Sequence, residues 1–344
     1  MDSIVTFGEI MLRLKSPQSE RLFQSPALEA TFGGGEANVA VSLALLGKKA
    51  FFVTALPDNP VAAAALGELR KHGVDVSRVR AAPGRVGVYF LENGANQRAS
   101  NVVYDRDGSS VSRVAPGDFD WPTIFRGVRW FHVTGITPAI SAGAASVTLE
   151  AARAAREAGC SVSIDLNYRK KLWQYGKKAV EVMPELVRLA DVLVANEEDV
   201  QMCLGISPVN VDVTAGRLGT EAYRDLSRRV RAEYPNLSAV AITLRESHSA
   251  DRNGWSAVLD GSSGFHESAK YDIGDIVDRV GGGDAFAAGL IFGLLEFPGD
   301  EARALEFAVA ASCLKHSVSG DFNLCGRREI EALLSGDGSG RVNR

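Results

Sequence analysis

The feature that most constrains the fold of this chain is a regular alternation of strand-like and helix-like segments between residues 130 and 243. Short apolar runs, which suit buried strands, are separated by longer segments of helical periodicity. The predicted strands are 130–133, 160–164, 192–195 and 239–243, and the predicted helices are 142–158, 178–189, a short helix ending at Gly205, and 215–233. Such alternation is typical of a parallel sheet covered by helices on both faces, so we predict an α/β fold with a mostly parallel central sheet.

A second pattern, alternation of apolar and polar residues with a period of two, marks two stretches of the N-terminal part, at about 9–33 and 85–114. This period suits strands that have one face in water. Because both stretches lie outside the strand–helix alternation, we expect them to form one small β-sheet lid on a single domain of residues 1–335. The glycine- and serine-rich residues 336–344 are predicted to be a C-terminal tail.

Composition limits the classes of function. The 344 residues are 46% hydrophobic, which is enough for a large buried core. A formal net charge of −4 and a pI near 5.8 argue against nucleic acid or a membrane surface as the main partner. The N-terminus lacks the basic start and apolar run of a signal peptide, and the cysteines form no CxxC pair. We therefore expect a cytoplasmic enzyme with reduced thiols.

Three consecutive glycines, Gly281, Gly282 and Gly283, precede Asp284 and a run of small and apolar residues that predicts a buried helix. Glycines at a helix start let successive N–H groups converge, and the helix N-terminus adds partial positive charge, so this stretch predicts an anion-binding site. Asp284 would repel phosphate. The position of Asp284 makes sense if Asp284 takes a proton from a hydroxyl group, and if that hydroxyl group attacks a phosphoryl group held by the N–H groups. The alternative is that Asp284 only caps the helix.

Polar clusters follow three of the predicted strands, at 165–169, 196–199 and 243–246. Open α/β sheets bind ligands beyond the carboxyl ends of their strands, so we expect these clusters to share one site with the glycine stretch. Glu198 and Asp199 could hold Mg²⁺ through water, since Mg²⁺ keeps much of its hydration shell. The alternative is an acidic first helical turn that complements the helix dipole.

Motifs of several other phosphoryl-transfer and nucleotide-binding folds are absent from the sequence. Gly47-Lys48 and Gly176-Lys177 lack the upstream glycine and the following Ser or Thr of a P-loop. The glycine loop and catalytic-loop signature of protein kinases are also missing. Residues 33–38 miss the dinucleotide fingerprint because Asn38 stands where its last glycine should be. Phosphoryl transfer by this chain would therefore need a different scaffold.

Taken together, these segments resemble the signatures of the PfkB (ribokinase-like) carbohydrate kinases. Gly34-Gly35 with Asn38, Ala40 and Leu46-Gly47 resembles the N-terminal signature, and 278–289 resembles the C-terminal one, in which Gly-Ala-Gly-Asp is usual. Residues 196–199 resemble the metal–phosphate motif of the family. The resemblance implies a ribokinase-like three-layer α/β/α fold with a β-sheet lid. It also implies ATP and Mg²⁺ as cofactors and catalytic roles for Asp284 and for Gly281, Gly282 and Gly283.

Within the family the chain is most similar to kinases of the sugar acid 2-keto-3-deoxygluconate. This similarity implies substrate contacts by Gly34, Gly35, Asn38, Tyr89, Tyr104, Arg106, Arg169, Asp284 and Asp321. The chemistry agrees, because an arginine fork binds a carboxylate and a tyrosine gives a rigid wall with a hydroxyl tip. The alternatives are that Arg106 is a surface residue of the lid and that Tyr89 only packs the lid.

The same resemblance implies a nucleotide site formed by Asp165, Asn167, Asn196, Thr243, Arg245, Gly281, Gly283 and His316. The chain departs from the family here, because 243–247 lacks the usual glycine-containing loop and an insertion-like segment, 248–253, follows it. His316 has a structural alternative, as a lone histidine late in a helix. A monovalent cation is a further candidate cofactor, although Arg279 and Val280 replace residues that help to bind one in some relatives.

We therefore expect an ATP-dependent kinase that phosphorylates a primary hydroxyl group of a sugar acid, with 2-keto-3-deoxy-D-gluconate converted to its 6-phosphate. One alternative is a kinase of a neutral sugar, similar to a fructokinase or ribokinase. Another is a non-catalytic sugar-sensing protein of the same fold. The half-exposed β face of the lid suggests a homodimer.

Overall fold

The computed structural model describes residues 2–207 and 220–336. The start of the predicted helix 215–233 and all of the predicted tail except Gly336 lie outside the described residues. Among the helices of the two described ranges, none combines the length and apolar character needed to cross a bilayer.

Strands and helices alternate along most of the described chain. The strands are β1 Ser3–Phe7, β2 Met11–Lys15, β3 Glu29–Gly33, β4 Lys49–Val53, β5 Ala55–Leu56, β6 Arg80–Ala81, β7 Gly87–Glu92, β8 Asn101–Asp105, β9 Trp130–Thr134, β10 Ser161–Asp165, β11 Val192–Ala195, β12 Ala239–Ser247, β13 Asn253–Gly261, β14 Gly264–Glu267 and β15 Tyr271–Ile273. The helices are α1 Gly35–Leu45, α2 Pro60–Lys71, α3 Trp121–Ile124, α4 Ile136–Ile140, α5 Ala142–Glu157, α6 Ala179–Val187, α7 Glu197–Leu204, α8 Thr220–Glu233, α9 Gly282–Glu296, α10 Glu301–Lys315 and α11 Arg327–Leu334.

The central sheet has the order β14-β13-β12-β11-β10-β9-β1-β4, and β15 also pairs with β13. From β12 to β4 all neighbours are parallel, whereas β13 is antiparallel to β12, β14 and β15. The predicted α/β class with a mostly parallel sheet is therefore confirmed. The antiparallel edge was not predicted, because the sequence analysis assigned no element between residues 248 and 273.

Helices cover both faces of this sheet, so nearly every residue of its inner strands β1, β9, β10 and β11 is buried. Successive side chains of a strand point to opposite faces. Ile4 accordingly packs in a core cluster with Phe286 of α9, while Val5 packs in a second cluster with Val147 of α5 and Leu186 of α6. Two cores, one on each face, fix the three-layer arrangement.

A separate small sheet has the order β3-β2-β7-β8. Its strands alternate in exposure: Tyr89 and Leu91 are buried with Met11, while Val103 on β8 is 44% exposed. The sheet thus has one face in water, which confirms the small β-sheet expected from the period-two stretches. The domain limits and the lid function assigned to this sheet remain predictions.

The strand β12 is longer than predicted. Its pairing with β13 continues past residue 243, with Thr243 opposite Ala257 and Arg245 opposite Trp255. The prediction that Arg245 and Glu246 lie beyond the strand end is therefore wrong. Their polar side chains suggested a turn, but in an antiparallel pair such residues can occupy the wet face of the strand. Asp165 is likewise the last residue of its strand.

Helices α9 and α10 pack in close contact because glycines of α9 face alanines of α10. A Cβ atom added to Gly289 would lie 2.8 Å from Ala308 Cα, and one added to Gly293 would lie 2.7 Å from Ala304 Cα. Backbone atoms cannot move aside as a flexible side chain can. The small-residue run of α9 therefore sets the distance between these two helices.

We predict that Gly293→Ala destabilises the protein by about 1–3 kcal/mol, because overpacking outweighs the better helix propensity of alanine. The matched control is Gly67→Ala in α2, where an added Cβ would meet nothing within 4 Å. That control should stabilise by up to ~1 kcal/mol. Urea unfolding of the two variants tests this. Equal effects of the same sign would show that the α9–α10 contact does not require glycine.

Candidate active site

A cavity of about 490 Å³ lies between the central sheet and the inner face of the small sheet. It is bordered by the carboxyl ends of β10 and β11 and by the starts of α1, α7 and α9. The predicted site residues that line it are Gly34, Gly35, Asn38, Tyr89, Tyr104, Asp165, Asn167, Arg169, Asn196, Glu198, Asp199, Thr243, Arg245, Gly281, Gly282, Gly283, Asp284 and Asp321. The structure thus brings nearly all of them together, while the role of each remains a prediction.

Asp284 lies in the first turn of α9 on the wall of this cavity. The N-cap of α9 is Gly281, so the alternative that Asp284 only caps the helix is wrong. The Nδ2 group of Asn38 donates a hydrogen bond of 2.6 Å to Asp284 Oδ2. Burial raises the pKa of Asp284 to about 6, against the lowering effects of the Asn38 hydrogen bond and the Arg169 charge. A carboxylate of this kind is ionised at neutral pH yet basic enough to accept a proton.

The glycines before Asp284 shape the entrance of α9. Gly281 has a φ of 84°, and a Cβ there would lie 2.0 Å from Asp321 O, so glycine is required on both counts. The N–H of Ala285 donates to Gly281 O at 2.8 Å. The N–H groups of Gly283 and Asp284 come earlier in the helix and therefore have no carbonyl one turn back. The N–H of Gly282 makes only a long contact of 3.4 Å with Arg279 O.

Asn38 connects the start of α1 to Asp284. Its Oδ1 accepts a hydrogen bond of 3.2 Å from the N–H of Gly34, while its Nδ2 binds Asp284. A Cβ on Gly34 would lie only 1.9 Å from Glu9 O, so the chain passes too close to its neighbour for any other residue. Helices α1 and α9, which both begin next to glycines, are therefore joined at the cavity by the hydrogen bond between Asn38 and Asp284.

A buried carboxylate anchors α1 beneath the cavity. Glu36 Oε1 accepts hydrogen bonds from the Thr134 N–H (3.0 Å), the Thr134 hydroxyl (2.8 Å) and the Thr137 hydroxyl (2.7 Å). Burial raises the pKa of Glu36 to about 7, although these hydrogen bonds oppose the shift. This anchor was not predicted from the sequence, because a glutamate in a first helical turn usually faces solvent.

Asp321 reaches the cavity from the loop after α10. Its Oδ1 accepts hydrogen bonds from Tyr89 Oη at 2.5 Å and from Arg13 Nη1 at 2.6 Å. Burial and the neighbouring Asp321 charge raise the pKa of Tyr89, so its hydroxyl group stays protonated and donates. Tyr89 therefore does more than pack the small sheet, and Arg13 is a buried cation that was not predicted from the sequence.

Arg169 is an exposed cation at the mouth of the cavity that faces several carboxylates. Its charge opposes the upward pKa shifts that burial imposes on Asp165, Asp199 and Asp284. Asp165 is buried behind it and accepts the N–H of Asn167 at 3.1 Å. Asn167 has a φ of 38°, so the chain turns sharply where it leaves β10. The turn directs 167–169 along the cavity wall.

Asp199 and Glu198 begin α7. The carboxylate of Asp199 accepts the N–H groups of Tyr168 (3.0 Å) and Asn196 (3.2 Å), and Asn196 Oδ1 accepts the N–H of Asp199. This capping box supports the alternative of a structural first turn for Asp199. Glu198 is exposed on the cavity wall.

The donor set fits Mg²⁺ held through water rather than in a dedicated protein cage. Within residues 2–207 and 220–336, no group of three or more His, Cys, Asp or Glu side chains could hold a metal ion directly. Mg²⁺ typically binds one or two carboxylates plus substrate phosphates and keeps several waters. Glu198 could serve in that way, with Asp199 behind it.

Two further arginines line the opposite side of the cavity. The guanidinium group of Arg245 lies 5.4 Å from the ring centroid of Trp255, a residue that the sequence analysis did not identify. Arg279 Nη2 donates to Ser249 O (3.0 Å) and Ala250 O (2.7 Å), which ties the insertion-like segment 248–253 to the cavity. Desolvation and the charges of Arg279 and Arg169 lower the pKa of Arg245. Such crowding of cations favours an anionic ligand.

Two predicted site residues do not line the cavity. Arg106 is buried in an ion pair with Glu9, so the alternative of a surface residue is wrong. His316 is buried at the end of α10, where its Nδ1–H donates to Ser312 O at 2.8 Å and its ring lies 5.7 Å from the Trp255 ring. Burial lowers the pKa of His316 to about 4, so it is neutral. The ligand contacts predicted for Arg106 and His316 remain predictions, and neither side chain lines the cavity.

Several cavity residues were not identified from the sequence as ligand contacts. They are mostly apolar: Met11, Leu91, Ser100, Val102, Ile136, Val194, Ala195, Glu197, Trp255, Arg279 and Val280. Met11, Leu91 and Val102 could have been predicted as cavity residues, because they lie on the inward face of the period-two strands and one face of that sheet had to be covered. Trp255 could not have been predicted in this way, since the strand that carries it was not predicted.

Comparison with known proteins agrees with this geometry. Residues 1–324 match the model of the pfkB family carbohydrate kinases. The chain is 33% identical to a 2-dehydro-3-deoxygalactonokinase of Haloferax volcanii, with 98% of each chain covered. It is 47% identical in sequence to a 2-dehydro-3-deoxygluconokinase of Thermotoga maritima. The crystal structure of that protein matches with a TM-score of 0.91, over 98% of this chain and 100% of that chain. A probable chloroplastic fructokinase of Arabidopsis thaliana matches at 28% identity, over 96% of this chain and 82% of that protein. This chain therefore belongs to the pfkB family of carbohydrate kinases.

Proposed function

We propose that this protein transfers the γ-phosphoryl group of ATP to the primary hydroxyl group of a sugar acid, and that 2-keto-3-deoxy-D-gluconate is converted to its 6-phosphate. The observation that carries the proposal is the position of Asp284, a carboxylate beside the N–H groups that open α9, on the wall of a cavity rich in arginine. The names of the two sugar-acid kinases described above support the choice of substrate class.

Proton removal and charge stabilisation meet at the start of α9. Asp284 accepts the proton of the attacking hydroxyl group, whose oxygen then displaces ADP in line. The N–H groups of Gly283 and Asp284, helped by the positive end of the helix dipole, stabilise the charge on the transferred phosphoryl group. The small sheet above the cavity would exclude water, which otherwise competes as acceptor.

The nucleotide would lie along the side of the cavity formed by Arg245, Arg279 and Trp255. Bound Mg²⁺ would neutralise part of the phosphate charge, and Glu198 would hold it through water. Dependence on a monovalent cation is a separate proposal. At this side of the cavity, two carbonyl oxygens already accept hydrogen bonds from Arg279.

The acceptor would lie on the other side, against the small sheet. Tyr89 and Tyr104 form the wall, and Arg169 is the exposed cation at the mouth of the cavity that can pair with a carboxylate. The match to a fructokinase keeps a neutral-sugar kinase as the second candidate. The outer face of the small sheet, with Val103 44% exposed, is the surface we propose for a homodimer.

We expect Asp284→Asn to lower turnover by a factor of about 10²–10⁴, because the amide cannot accept the proton. ATP binding should remain, since the helix start is unchanged. Coupled detection of ADP measures turnover, and calorimetry measures ATP binding. Full turnover by a folded Asp284→Asn variant would remove the proposed base from the mechanism.

The pH dependence of kcat/KM should report the ionisation of Asp284. The carboxylate is the active form, so activity should fall as the pH drops through about 6. The Asn38 hydrogen bond lowers this pKa, so Asn38→Ala should move the acid limb to higher pH. Ser42→Ala, one turn further along α1, is the control and should leave the limb in place. An unmoved limb in Asn38→Ala would show that another group controls the profile.

A panel of sugar acids, including C4 epimers, and neutral sugars tests the proposed substrate. We expect turnover of 2-keto-3-deoxygluconate, and Arg169→Ala should raise KM for sugar acids by about tenfold or more while changing KM for neutral sugars little. Lys170→Ala removes the neighbouring exposed cation and is the control. Equal effects of Arg169→Ala on acids and neutral sugars would contradict a carboxylate contact, and turnover of neutral sugars alone would favour the second candidate.

A further inference from the structure

A buried cluster of charges lies directly behind the cavity and takes no part in the mechanism above. Arg13, on strand β2 of the small sheet, is 1% exposed. Its guanidinium group binds Asp321 (Nη1 to Oδ1, 2.6 Å) and forms an ion pair with Asp278. Lys315, also fully buried, donates from Nζ to Asp278 O (3.3 Å) and Val318 O (3.0 Å).

This cluster holds one carboxylate of the cavity wall in a single orientation. Asp321 Oδ1 accepts from both Arg13 and Tyr89, so its position is set from two strands of the small sheet. Its Oδ2 faces Gly33, where an added Cβ would lie 2.1 Å away. Little freedom remains for this side chain, although it borders the space where an acceptor would bind.

The charges of the cluster also balance. Asp278 and Asp321 carry two negative charges, and Arg13 and Lys315 carry two positive charges. Burial alone would lower the pKa of Arg13, but Asp321, Tyr89 and Asp278 together raise it, so the guanidinium stays charged. An uncompensated Asp321 would add its charge to that of Asp284 in repelling an anionic acceptor. Arg13 offsets the contribution of Asp321 to that repulsion.

We propose that Arg13 is a positioning residue for acceptor binding: it fixes and neutralises Asp321, and it thereby makes the position of the small sheet part of the acceptor site. This inference rests on the proposed function in one respect, namely that the acceptor binds next to Asp321. A purely structural ion pair is the competing explanation, since breaking a buried pair also destabilises a protein.

The second cation of β2 provides a matched control. Lys15, two residues further along the same strand, forms an ion pair of 2.9 Å with Glu29, whose side chain is 49% exposed. Glu29, the ion-pair partner of Lys15, does not line the cavity. Arg13→Met and Lys15→Met each remove one cation from strand β2, and only the first leaves a cavity carboxylate, Asp321, without its cation.

The test is a set of steady-state measurements on the full-length protein with 2-keto-3-deoxygluconate and ATP. Arg13→Met should raise KM for the acceptor by about tenfold or more and change KM for ATP by less than about twofold. Lys15→Met should change neither. In the Asp321→Asn background, Arg13→Met should have little further effect on acceptor KM, because Arg13 acts through Asp321.

The opposite results would overturn the proposal. A structural role predicts lower thermal stability and a smaller active fraction with an unchanged acceptor KM, or equal fold-changes with and without Asp321→Asn. If Arg13→Met does not fold, Arg13→Lys serves instead, because a lysine cannot bridge two carboxylates as the guanidinium fork does. An unchanged acceptor KM in Arg13→Lys, with retained stability, would then overturn the proposal.

Failure of the substrate assignment is distinguishable from failure of this inference. If the wild-type protein phosphorylates only a neutral sugar, the sugar-acid proposal falls, while the same cycle of Arg13 and Asp321 variants can be measured on that sugar. Coupling between the two substitutions would then still show positioning by Arg13, and independent effects would still refute it.

Discussion

The hydrogen bond between Asn38 and Asp284 is the contact on which the rest of the site depends. It joins the first turn of α1 to the first turn of α9, although the two residues are 246 positions apart in the chain. Both helices begin with glycines because the backbone passes close to its neighbours there, at Glu9 beside Gly34 and at Asp321 beside Gly281. The result is a basic carboxylate next to N–H groups that have no helical partners.

The charges around the cavity form a second level of organisation. Asp165, Asp199 and Asp284 lie on one side and are each influenced by Arg169, while Arg245 and Arg279 lie on the other. Ligands that bring both negative charge and a divalent cation would satisfy this arrangement, as a metal–nucleotide and an anionic acceptor do. The buried pair of Arg13 and Asp321 extends the same balance into the small sheet.

Much of the fold could be predicted from the sequence, because its strongest patterns are local. Period-two segments marked the small sheet, and the apolar strands between helices marked the parallel sheet. The glycines before Asp284 indicated an anion-binding site at the start of a helix, and at Gly281 the φ of 84° and the approach of Asp321 O require glycine. Long, strongly patterned elements were placed correctly, while the polar end of β12 was assigned to a turn.

The parts that could not be predicted depend on distant partners. Arg13 alternates with apolar residues along β2 as a solvent-facing residue would, and only the approach of Asp278 and Asp321 makes its burial possible. Arg106 was expected at the acceptor or at the surface, but it pairs with the buried Glu9. Trp255 lies on the antiparallel strand β13, where it is paired with Arg245 of β12 and Tyr271 of β15. Each of these positions is set by tertiary contacts that no local pattern reveals.

The most direct test of the central claim is a crystal structure of the ternary complex with a non-hydrolysable ATP analogue, Mg²⁺ and 2-keto-3-deoxygluconate. We predict that the primary hydroxyl oxygen of the acceptor lies within hydrogen-bonding distance, roughly 2.6–3.2 Å, of the Asp284 carboxylate. We also predict that the terminal phosphoryl group contacts the N–H groups of Gly283 and Asp284. An acceptor bound with every hydroxyl group remote from Asp284 would contradict it.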